Sequence, residues 1–274
     1  MSQIIVATDF SEVGTNAVHY ACQMALERNT DIVIMHSYSI PLMFSDVPVP
    51  ASFINDTQND AEAEMTKLTV DLSAQYPTIR VTGEVVFGDI LDSISTYASS
   101  NTRPWMIVVG NGANTEDSGW PDSLLVDAFR NLPYPVLAIP PGATYKPVKN
   151  ICFAFDNKHT GNELPLLQLT GITQQFNAQL HVLNAQPGTH KGEFNEGIDM
   201  MVKDMLYPVH PKYHIVFDGN IDQAIEKFIN TNKTDLLVII PRKHSFFESL
   251  FHHSHTKAIA HRSHIPILAL HDGV

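Results

Sequence analysis

Apolar residues in this chain gather in short, nearly unbroken runs, and each run is followed by a stretch whose apolar positions recur at helical spacing. Residues 3–8 form the first run, which ends at Asp9. A strand apolar on both faces belongs in a parallel sheet covered on both sides. Ser11 then stands where a helix N-cap is expected, and Ala17, Cys22, Ala25 and Leu26 make an apolar stripe over a helix near 13–28. The alternation continues with strands at 31–36, 79–87, 105–109 and 136–139 and helices near 56–75, 88–99 and 122–131. Pro41, Pro48 and Pro50 interrupt it once, in a long loop after the second strand.

The pattern is then written again. Ile4-Ile5-Val6-Ala7-Thr8-Asp9 is echoed by Ile151-Cys152-Phe153-Ala154-Phe155-Asp156, and Pro135-Val136-Leu137-Ala138-Ile139 by Pro266-Ile267-Leu268-Ala269-Leu270. Gly88 and Gly219, Ser123 and Ser254, and Pro135 and Pro266 are each 131 residues apart, whereas Asp9 and Asp156 are 147 apart. The second copy is therefore shorter in its middle by about 16 residues. A repeat of this length is a duplicated domain. Its strands are expected at 150–155, 179–184, 213–217, 236–240 and 265–270, and its helices near 162–176, 192–206, 221–230 and 246–261. Pro140-Pro141-Gly142 opens a turn-rich linker ending near Pro147, which divides the chain into domains 1–146 and 147–274. Alternating strands and helices predict an α/β fold, two tandem doubly wound five-stranded parallel sheets.

Charge and cysteine content narrow the partners. The net charge is −12 at pH 7, so nucleic acid and anionic membranes are not expected partners. No apolar run reaches the length of about 20 residues that a membrane span needs. The chain enters its first strand without a signal-peptide pattern, and Cys22 and Cys152 belong to no C-x-x-C pair. A cytoplasmic location with two buried thiols is the expectation.

In doubly wound sheets, ligands bind beyond the C-terminal ends of the strands, where the strand order reverses. Candidate positions therefore follow strands one, two and four. Those positions also carry a likeness. Ala7-Thr8-Asp9-Phe10-Ser11, the His36 end of strand two, Phe87-Gly88-Asp89-Ile90, Val108-Val109-Gly110-Asn111-Gly112 and Pro133-Tyr134-Pro135-Val136-Leu137-Ala138-Ile139-Pro140 resemble the universal stress protein family in its tandem form. The second copy adds the segment from His244 to Phe251 and Ile265-Pro266-Ile267-Leu268. The likeness covers nearly all of both copies. It implies an adenine nucleotide alpha hydrolase-like fold, with the two copies packed as a pseudo-dimer through their last strands.

ATP-binding members of the family carry Gly-x-x-Gly, nine residues, then Gly-Ser or Gly-Thr. Glycines let backbone N–H groups approach phosphates, and the hydroxyl adds a donor. The first copy keeps Gly110, Gly112 and Ser123 but has one residue fewer between the glycines and Asp122 at the third. A carboxylate facing a triphosphate opposes binding by about 1–3 kcal/mol if partly buried. Asp122 as a simple helix cap is the other reading. In the second copy Pro241, Lys243 and His253 replace Gly110, Gly112 and Asp122, and only Ser254 survives. Pro241 has no N–H to offer, and Arg242-Lys243 reads as an anion-attracting pair or as a solvated loop. The resemblance places Asp9 and Asp156 beside adenine or ribose, and the residues alone equally allow each to cap the next helix. Ser37 offers its backbone to an adenine edge or is an ordinary loop residue.

The site implied by the resemblance comprises Thr8, Asp9, Ser37, Val109, Gly110, Gly112 and Ser123, holding ATP, AMP or adenosine, with no metal beyond nucleotide-bound Mg. His252, His253, His255, His261 and His264 cluster near the end of the chain. His252 and His255 share a helix face with Glu248 four residues earlier, a pattern read as a polar surface before a metal site. No Ser-His-Asp order or carboxylate pair can be singled out, although such groups assemble in space. The expected protein is a stress-response binding or regulatory module with an unidentified protein partner and room for homodimerisation. A slow ATP hydrolase and a ligand-free interaction scaffold are the alternatives.

Overall fold

The structure, a computed structural model, describes residues 3–39, 51–112, 123–155, 163–187, 200–241 and 264–271. In the first copy the elements are β1 (Gln3–Ala7), α1 (Glu12–Arg28), β2 (Asp31–Tyr38), α2 (Ala51–Gln75), β3 (Val81–Phe87), α3 (Ile90–Ser100), β4 (Pro104–Gly110), α4 (Leu124–Asn131) and β5 (Val136–Ile139). The second copy has β6 (Asn150–Phe155), α5 (Leu164–Phe176), β7 (Gln179–Pro187) and α6 (Met200–Leu206), which runs into a short 3-10 turn at Tyr207–Val209. It continues with β8 (Lys212–Asp218), α7 (Ile221–Thr231), β9 (Leu236–Ile239) and β10 (Ile267–Ala269). The expected helix at 246–261 lies outside the described residues, as does most of the lead-in to α6.

All ten strands form one sheet in the order β3-β2-β1-β4-β5-β10-β9-β6-β7-β8. Each half has the same internal order, and within each half the strands run parallel. The halves meet antiparallel at β5 and β10, where Ala138 faces Ile267, Leu137 faces Leu268 and Val136 faces Ala269. Each of these apolar strands would otherwise end its half as an open sheet edge, and each covers the other. The expected pseudo-dimer is present.

Two cores lie on opposite faces of this sheet, and each spans both copies. On one face α1, α2, α5 and α6 bury Ala17, Met24, Met65, Leu72, Leu169 and Val202. On the other α3, α4 and α7 bury Ile94, Phe129 and Ile225. Full burial of a Leu, Ile or Phe side chain contributes about 1.5–3 kcal/mol, so the cores dominate stability. Cys22 and Cys152 are free and buried in these cores, and burial pushes the Cys22 thiol up to about 12. Helix ends follow local chemistry. Asn29 and Asn177 end α1 and α5 in the left-handed conformation, at φ 50° and 49°.

Side chains at the start of β4 and the ends of α1 and α5 clamp the copies together. The Arg28 guanidinium lies 4.2 Å from the Trp105 ring centre and 5.2 Å from that of Phe176. Trp105 Nε1 donates to Gln175 Oε1 at 2.9 Å, and the hydroxyl of the linker's Tyr145 donates to Glu27 at 2.6 Å.

Candidate functional site

The crevice sits where β1 stops between β2 and β4, the point at which the strand order reverses. β1 ends because Thr8 leaves the ladder. Its N–H still donates to the Met35 carbonyl at 2.9 Å, but its hydroxyl accepts from the Phe10 N–H at 3.1 Å. This turns the backbone, and Phe10 adopts φ 62°, a left-handed value unusual for a bulky residue. The Phe10 ring packs 4.3 Å from that of His36, whose Nδ1–H donates to the Thr8 carbonyl at 2.8 Å. Strand two thereby pins the turn from the side.

That turn presents Asp9 at the start of α1. The Asp9 carboxylate accepts from the Ser11 N–H at 3.1 Å and from the Ser11 hydroxyl. The Ser11 oxygen in turn accepts from the Gly14 N–H at 3.1 Å, as expected of an N-cap. The carboxylate therefore lies at the positive end of a helix dipole. Its seat depends on Gly14, where a Cβ would lie 2.5 Å from the carboxylate oxygen and 2.9 Å from the Thr8 hydroxyl.

Gly110 stands inside β4, one residue before the loop in which the sequence spacing put it. A Cβ there would lie 2.9 Å from both the carbonyl oxygen and a methyl of Val13. This glycine lets α1 press onto β4. Val109 beside it is buried, and Gly112 follows, half-buried. Ser37 lies within β2 rather than after it, because β2 keeps pairing with β3 as far as Tyr38. Backbone polar groups of successive strand residues point to alternate sides. The Met35 carbonyl serves Thr8 and the Tyr38 carbonyl serves Gly88, at 3.0 Å. The Ser37 N–H and C=O thus point to the β1 side, past the end of that strand. Ser123 occupies the N-cap position of α4, exposed, and its hydroxyl makes no capping bond.

The structure thus gathers Thr8, Asp9, Ser37, Val109, Gly110 and Gly112 along the ends of three adjacent strands. The sequence reading missed Gly14, Phe10 and His36 as supports of that group. Gly14 had a visible signal, since a glycine in the first turn of a helix weakens it unless packing demands it.

The family model described as "Universal stress protein family" matches residues 1–140 and again 147–271. The chain belongs to the universal stress protein family. Among solved structures, a universal stress protein from Archaeoglobus fulgidus DSM 4304 matches with a TM-score of 0.73 at 14% identity, over 99% of this chain and 98% of that one. A putative universal stress protein from Pseudomonas aeruginosa UCBPP-PA14 gives 0.52 at 14% identity, over 99% and 93%. These likenesses concern the fold. No curated protein matches the chain significantly.

In this tandem universal stress protein the second copy has a different crevice. Buried Phe155 holds the place of Thr8, and half-buried Pro241 that of Gly110. Phe155 has no hydroxyl to accept from the following backbone, and Pro241 has no N–H. Asp122, Asp156, Arg242, Lys243, His253 and Ser254 lie outside the described residues, as do His252, His255 and His261. Among the described residues no group of three His, Cys, Asp or Glu converges as a metal site, and no helix is long and apolar enough to cross a membrane.

Proposed function

We propose that the first copy binds an adenine nucleotide or nucleoside (ATP, AMP or adenosine) and that the chain acts as a nucleotide-responsive binding module in the stress response. The observation that carries the reading is the pairing of two recognition elements at the end of β1. One is the Asp9 carboxylate held against Ser11, placed for ribose hydroxyls. The other is the Ser37 N–H and C=O turned into the same crevice, a donor and acceptor pair suited to an adenine edge. Thr8 and Val109 form the buried floor. Gly112 and Ser123 supply donors for phosphate, while Gly110 is occupied in seating α1. The second copy holds the sheet together and leaves the ligand to the first. Its domain begins at the linker near residue 147. Two buried free thiols suit a reducing compartment, which supports the cytoplasm as the place of action.

Two variants test the reading, Gly112→Val and Ser254→Ala, each titrated calorimetrically with ATP, AMP and adenosine. Loss of binding only in Gly112→Val is expected. Loss only in Ser254→Ala would move the working site to the second copy, and no binding by the unaltered protein would end the proposal. Release of phosphate well above one per chain would make the protein a hydrolase.

A further inference from the structure

We infer that the second copy contains a proton-operated switch, in which His181 on β7 and His214 on β8 hold their half of the sheet closed only while at least one of the two imidazoles is neutral. His181 Nδ1 and His214 Nε2 are 3.1 Å apart, and the rings stack at 5.2 Å between centres with planes 16° apart. An N–H···N bond at that distance needs one ring to donate and the other to keep a lone pair. Two imidazolium rings offer only donors to each other, so full protonation breaks the bond and sets like charges face to face.

The surroundings relieve a second charge little, with His181 buried and His214 half-buried. Phe228 on α7 stands edge-on to both rings, at 6.0 and 4.8 Å, and His181 is 7% exposed. On the β6 side the register partner of His181 is Cys152, a buried thiol that burial keeps neutral. On the β8 side it is Lys212, a cation. Helix α7 contributes Asp222 in its first turn and the exposed Glu226 and Lys227, while its buried face is Ala224, Ile225 and Phe228. Burial holds both rings below the ordinary histidine value, and Lys212 pushes the same way on each.

The direction of the response follows from that lowering. The unfolded chain takes up protons near pH 6.5, about the value of a free histidine, where the folded pair still refuses them. The pair's contribution is therefore complete above about pH 6.5 and is lost as the pH falls below it. The first copy has no such device, because Val33 and Glu84 hold the equivalent positions. Val33 lies between Ile5 and Thr82 as His181 lies between Cys152 and Lys212. Acidification therefore loosens β7, β8 and α7 while β2, β3 and α3 stay closed, and a single chain gains a half that responds to protons.

Hydrogen exchange from pH 7.5 to 5.0, corrected for intrinsic rates, reads the two halves in one sample. Protection in β7, β8 and α7 is expected to fall by up to about tenfold per pH unit below pH 6.5 for each imidazole held neutral. Protection in β2, β3 and α3 should not follow it. His181→Val, which installs the first copy's residue, should remove the difference. If that variant does not fold, His214→Gln and an NMR titration of the histidine ring protons in the unaltered protein answer the same question. Two rings should titrate below the others. Equal loss in both halves, both rings titrating near pH 6.5, or an undiminished acid response in a folded variant would overturn the inference.

Discussion

Replacing Gly14 by alanine inverts a familiar expectation. In an ordinary helix that change stabilises by about 0.8–1 kcal/mol. Here the added Cβ would sit 2.5 Å from the Asp9 carboxylate and 2.9 Å from the Thr8 hydroxyl. Neither gap is a tolerable contact, and the Asp9 carboxylate, at the end of its side chain, is the part that must shift. That shift breaks its bonds to the Ser11 N–H and hydroxyl. Hydrogen bonds to a charged group are worth about 1.5–3 kcal/mol. Subtracting the helix gain leaves a net loss of about 0.5–2 kcal/mol. Urea denaturation of both proteins measures it, and calorimetric titration with ATP and adenosine should show weaker binding by the variant. A variant that is more stable by about 1 kcal/mol and binds equally well would refute the reasoning, because Asp9 would then not be seated as described.

Gly110→Ala should cost about 1–3 kcal/mol through overpacking, since the rigid Val13 carbonyl lies 2.9 Å from the new Cβ, and chemical denaturation checks it. Asp122→Gly, which restores the family's glycine and removes a negative charge, should tighten ATP binding by up to about 1–3 kcal/mol while leaving adenosine unchanged. Equal ATP binding in calorimetry would show that Asp122 does not face the phosphates. Arg28→Ala should destabilise by about 1–2 kcal/mol by removing the cation that sits against both Trp105 and Phe176, measured by denaturant midpoint. Cys22, its thiol pushed up to about 12, should resist thiol reagents at pH 8 until the protein is unfolded, read as labelling with and without denaturant.

The parts of the molecule that were legible beforehand are those set by local pattern. The apolar runs placed β1, β5 and β6 closely, and the Ser11 cap was open to reading because capping is decided within four residues. The pairing of the two terminal strands was expected from the family resemblance, and their apolar residues agreed with it. What escaped depended on partners far along the chain. β2 runs on to Tyr38 only because Phe87 is there to pair with it. β10 is trimmed to Ile267–Ala269, the stretch that meets Val136 to Ala138. Phe10 takes its left-handed turn under a clamp that comes from His36, and the close approach of Val13 to Gly110 joins two elements that no window of sequence shows together.

The β5–β10 seam has a consequence for heredity as well as for mechanics. A dimer of identical chains must carry every substitution twice, so a change that spoils a crevice spoils both. Joined in one polypeptide, the halves keep the same seam at fixed one-to-one ratio but mutate independently. One can retain a glycine-lined crevice while the other accepts Pro241 and Phe155, and no assembly step can ever pair two spoiled halves or two intact ones within a chain. The antiparallel β5–β10 contact thus joins, in one chain, two halves whose crevice residues differ.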